Sequence, residues 1–216
     1  MAVNVPAGLA PNFWLSSVND GFTKACRFVV RINQTTELRS RFAYPGNDAT
    51  FTRDLIYMCE SAELPGRAFM NLDVRYYGPN QKLPFQSVYE DINLTFLVRA
   101  KSEEREFFDD WMTVINPQNT WDFAYRNEFA TSIDIFSFEE RGDEDGAAKV
   151  NYQFTLHNAY PIIVNPQPVH WASADIQRLV MTFTYTHWTR PTDPTARSAD
   201  TSDGQYQLVR ELGGRT

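Results

Sequence analysis

In several stretches of this chain apolar side chains fall at every second position, and a period of two fits only an extended strand with one face buried. Residues 25–33 set Cys26, Phe28, Val30 and Ile32 against Arg27, Val29 and Arg31. Leu72, Val74 and Tyr76 alternate with Asn71, Asp73 and Arg75, and Ile92, Leu94, Phe96 and Val98 form the cleanest run. Residues 133–138 follow, then Tyr152, Phe154 and Leu156 opposite Asn151, Gln153 and Thr155, and Leu179, Met181, Phe183 and Tyr185 opposite Thr182, Thr184 and Thr186. Residues 51–64 read as a long bulged strand stopped by Leu64-Pro65-Gly66, and 83–89 as a short extended piece.

The period changes once. From Ser102, a candidate cap, Glu103 and Glu104 suit a helix N-terminus, and Phe107, Phe108, Trp111, Met112 and Ile115 share one helical face up to Asn116-Pro117. The predicted fold is therefore mainly β, an antiparallel sandwich or barrel with one flanking helix over about 102–116.

At 216 residues the chain fits one compact domain with tails. We divide it into an N-terminal arm (1–24) with the apolar group Phe13-Trp14-Leu15, a β domain (25–188) and a polar C-terminal extension (189–216). Residues 34–50, with Pro45-Gly46-Asn47-Asp48, read as a long loop. With 43% hydrophobic residues such a chain buries roughly 70% of its unfolded surface, so disulfides and metals are not needed for folding. Cys26 and Cys59 lack metal or redox spacing and read as buried free thiols, suited to a reducing cytoplasm. No apolar run is long enough for a transmembrane helix and no signal peptide is expected.

Twenty basic against 27 acidic residues give a net charge of −7, which disfavours sequence-independent DNA binding by the whole surface. Lys24, Arg27 and Arg31 with Phe13 and Trp14 would be the local exception. His157, His170 and His187 have no second ligand at metal spacing, and neither GxSxG nor HExxH occurs. Asp109-Asp110 read as solvated helix residues, and the acidic run 139–146 lacks the EF-hand pattern and reads as a hairpin tip. No catalytic residue, cofactor or metal is expected. The Thr and Asn faces of at least three strands would form a continuous polar wall if strands joined across subunits.

The order of several motifs resembles the tail tube proteins of contractile-tailed bacteriophages, including related baseplate tube-initiator proteins. They are Cys59-Glu60-Ser61-Ala62-Glu63-Leu64-Pro65-Gly66, Tyr76-Tyr77-Gly78-Pro79-Asn80, Leu83-Pro84-Phe85, the strand from Asp91 to Val98, the helix from Arg105 to Ile115, and Asn158-Ala159-Tyr160-Pro161. The resemblance covers residues from about 25 to 160. It implies a structural virion protein, not an enzyme, whose hexameric rings join strands into an inner barrel and stack into a tube for genomic DNA. It also implies self-association, contacts with the tail sheath, baseplate initiators and a lumenal tape measure protein, only transient passage of double-stranded DNA, no membrane, and a place in the virion tail after assembly in the host cytoplasm.

On this reading the bore candidates are Asp54, Glu60, Asn93, Thr95, Asn151, Gln153, Thr182 and Thr184. Contact candidates between subunits or rings are Phe13, Trp14, Pro45, Gly46, Asn47, Pro65, Gly66, Gly78, Pro79 and Asn80. An initiator or terminator ring, or the tube of a related injection system, is the alternative within the class. Outside it stand a soluble β-sandwich binding module and a hydrolase using Asp109 or the acidic loop.

Overall fold

A computed structural model describes residues 23–42, 46, 48–75, 77–139, 150–172 and 174–190. Outside the described residues lie nearly all of the predicted arm, most of the acidic run and the C-terminal extension beyond Arg190.

The chain divides into two compact units. The smaller contains, among described residues, 23–28, 137–139 and 150–151. There the Phe138 N–H donates to the Arg27 carbonyl (3.0 Å), the Arg27 guanidinium to the Glu139 carbonyl (3.1 Å), and the Asn151 amide to the Thr23 hydroxyl (2.7 Å).

The larger unit holds, among described residues, those within 29–136 and 152–190. The strands are β1 (Phe28–Asn33), β2 (Cys59–Ala62), β3 (Ala68–Val74), β4 (Gln81–Val88), β5 (Ile92–Leu97), β6 (Thr131–Phe138), β7 (Val150–Val164), β8 (Arg178–Thr184) and β9 (His187–Thr189). The helices among the described residues are α1 (Thr36–Arg41), α2 (Ala49–Tyr57), α3 (Glu103–Ile115) and α4 (Arg126–Phe129). A seven-stranded sheet runs β1-β6-β7-β8-β5-β2, with β9 also on β7, while β3 and β4 form a separate two-stranded sheet. The mainly β, antiparallel expectation holds.

Period two holds where it is strictest. Leu94 and Phe96 of β5 and Leu179, Met181 and Phe183 of β8 are buried, and the two strands pair Asn93 with Thr182 and Leu94 with Met181. Helix α3 presents Phe107, Phe108 and Trp111, all fully buried, to Phe96 and Phe183 on one side and to Phe42 and Phe51 on the other. Such ring pairs each contribute about 0.5–1.5 kcal/mol beyond area burial. The Trp111 indole N–H donates to the Phe129 carbonyl (3.0 Å), so its one polar atom is satisfied in the core.

Several sequence expectations change. Residues 51–57 are helix, not strand: the Asp48 carboxylate accepts from the Thr50 N–H (2.9 Å), and Phe51 and Leu55, four apart, bury one face. The expected loop contains α1, where the Thr35 hydroxyl accepts from the Leu38 N–H and Leu38 is buried. Ser102 starts α3 with φ 56 and makes no side-chain cap; buried Glu104 reaches back to the Arg99 N–H instead (3.0 Å). Both cysteines are free, but Cys26 is exposed, since β1 begins only at Phe28.

Candidate functional site

The sheet has one face in the aromatic core, so alternation sends the intervening residues to the other. Asn93 and Thr95 of β5 stand beside Thr182 of β8, and the Thr182 hydroxyl donates to the Asn93 side-chain oxygen (2.8 Å). Thr184 pairs with Tyr160 on β7. Asn158, at φ 54, interrupts the alternation of β7 between buried Leu156 and buried Ala159. Gln153, Thr155 and His157 thereby share the polar side with Tyr160.

Two ion pairs lie on this face. Buried Asp134 accepts from Arg31, Asn33 and Thr155, each at 2.7 Å. Arg31, read from sequence as a local phosphate contact, is thus bound within the chain. Arg178 grips Glu60 at 2.6 and 3.0 Å, and this hydrogen bond holds the Glu60 carboxyl below its ordinary value. The exposed Glu63 carboxylate also reaches this face, accepting from the Asn93 backbone N–H (2.8 Å) and side-chain amide (3.0 Å).

The structure therefore brings together Glu60, Asn93, Thr95, Gln153, Thr182 and Thr184. Asp54 stands apart on α2, bound to Arg99 (3.3 Å), and Asn151 belongs to the smaller unit. Sequence reasoning does not single out Asp134 or its bond to Thr155, because a paired polar network leaves no motif.

The second surface is the β3–β4 hairpin. Leu72 is opposite Leu83 and Met70 is two positions away, so all three share a face, and they are 55%, 49% and 57% exposed. Phe85, left over where the register shifts after Met70, is also exposed. The hairpin carries Arg67, Arg75 and Lys82 against Asp73, basic on an acidic chain. A two-stranded hairpin is marginal by itself. Its alternation predicts a buried face, which the other described residues do not supply.

The contact candidates bracket this hairpin. Pro65 is buried, and the Gly66 carbonyl accepts from the Trp188 indole N–H (3.0 Å). Gly78, at φ +86, makes the tip with Pro79 and Asn80. Gly46 is buried where an added Cβ would approach the Phe42 ring to 2.8 Å. Phe13, Trp14, Pro45 and Asn47 lie outside the described residues. No group of three or more potential metal ligands occurs among the described residues.

A family model described as phage tail tube protein matches residues 23–191. Among solved structures, the fold is similar to a chain of an extracellular contractile injection system, the PVC sheath-tube complex in the extended state, with TM-score 0.55, 16% identity, and coverage of 82% of this chain and 96% of that one. It is also similar to the tube terminating cap of the anti-feeding prophage, with TM-score 0.54, 18% identity, and 89% and 95% coverage. No curated protein matches in sequence.

Proposed function

The chain belongs to the phage tail tube protein family, and from that membership we propose that it assembles into hexameric rings that stack into the inner tube of a contractile tail and conduct DNA. The observation that carries self-assembly is the exposed apolar face of Met70, Leu72 and Leu83 on a hairpin that needs a partner. The open sheet edges β1 and β2 supply further association sites, and an obligate interface of this kind buries more than about 2,000 Å².

The polar face is the proposed bore. Its cations Arg31 and Arg178 are each paired with a carboxylate, so among the described residues a passing duplex meets few free cations to hold its phosphates. The proposed partners are further copies of the chain, the tail sheath, baseplate initiators and a tape measure protein, and the role is structural, without catalysis. An initiator or terminator ring has the same fold and differs by fixed copy number.

Negative-stain microscopy across a concentration series tests the reading. Hollow tubes that lengthen are expected; rings that never stack favour the adaptor, and monomers at every concentration refute unaided assembly. Asn93→Lys with Thr182→Lys tests the bore, with slower DNA passage expected. Asp54 and Glu60 are poorer sites, because lysine there would also break the contacts with Arg99 and Arg178.

A further inference from the structure

The short strand β9 is held on β7 by three residue pairs, Thr155 with Thr189, Leu156 with Trp188 and His157 with His187. The two imidazoles stack with centroids 4.6 Å apart and planes 18° from parallel. His157 Nε2 also meets the Thr189 hydroxyl at 2.7 Å. Neutral rings stack without penalty, and one cation over a neutral ring is tolerated. Two cations at that spacing repel, by about fivefold in an equilibrium constant at the dielectric of water and far more near a protein surface.

The surrounding charge increases the repulsion. Arg126 of α4 donates to the Thr186 hydroxyl beside His187 (2.6 Å), and Arg190 follows β9 directly. Among the described residues Asp134 of β6 is the facing carboxylate, but on this side it reaches Thr155 and is already bound by Arg31 and Asn33. The other anchors of β9 do not titrate: the Trp188 indole bonds the Gly66 carbonyl and its ring packs edge-on against Phe154 at 5.2 Å.

We infer that the His157–His187 stack makes the attachment of β9 acid-sensitive, so that in acid β9 leaves β7. This device is independent of the bore assignment.

Hydrogen exchange of the full chain, corrected for intrinsic rates, tests it with β8 amides as internal control. Protection of residues 187–189 should fall about tenfold from pH 7.5 to 5.5 in the native chain, with β8 unchanged. His187→Phe keeps an aromatic stack that cannot charge and should abolish the fall; His157→Gln serves if that variant disturbs β9 at pH 7.5. Equal protection at both pH values, or a fall that persists in either variant, overturns the inference.

Discussion

Replacing Met70, Leu72 and Leu83 together by serine should uncouple assembly from folding. Each side chain keeps about half of its surface exposed in the single chain, and complete burial of such a side chain contributes about 1.5–3 kcal/mol. Docking the hairpin therefore gains about 1 kcal/mol from each, or about 3 kcal/mol for the three. At about 1.4 kcal/mol per tenfold, the critical concentration for tube growth should rise about a hundredfold. Sedimentation across a dilution series measures it, and a thermal melt of the unassembled chain checks the fold. A critical concentration within about threefold of the native value would refute the reasoning, as would a melt showing the chain itself unfolded.

Arg99→Leu should destabilise by about 3–5 kcal/mol, because it leaves the fully buried Glu104 without its cation, and Arg99→Leu with Glu104→Leu should recover much of the loss in urea titrations. The Glu60–Arg178 bond lowers the carboxyl below its ordinary value, so its contribution is present above about pH 4.3 and is lost as pH falls further; Arg178→Gln should melt earlier than the native chain at pH 7, and the gap should narrow as pH falls through the acid range. Burial pushes the Cys59 thiol up to about 12, whereas Cys26 is exposed, so a disulfide reagent at neutral pH should titrate one thiol quickly and the second only after denaturation.

Strands β5 and β8 and helix α3 are legible in the sequence because each has a sustained period and a completely buried face. Helices α1 and α2 are not, because six and nine residues give too few turns to establish a period. The cap residues Thr35 and Asp48 are the usable signal. The hairpin misleads in a different way: its alternation is real, but the surface it fits is absent among the described residues. Most of the bore candidates come together because they alternate with core residues, while Asp54 lies apart on α2, where a strand is expected from sequence.

The exposed hairpin also separates two kinds of selection. Under the proposed assembly, substitutions in α3 or β8 alter whether the chain folds, whereas those at Met70, Leu72 or Leu83 alter whom it joins. Partner choice can then drift between lineages without a toll on foldability, and hairpins exchanged between related chains should transfer compatibility as a portable key.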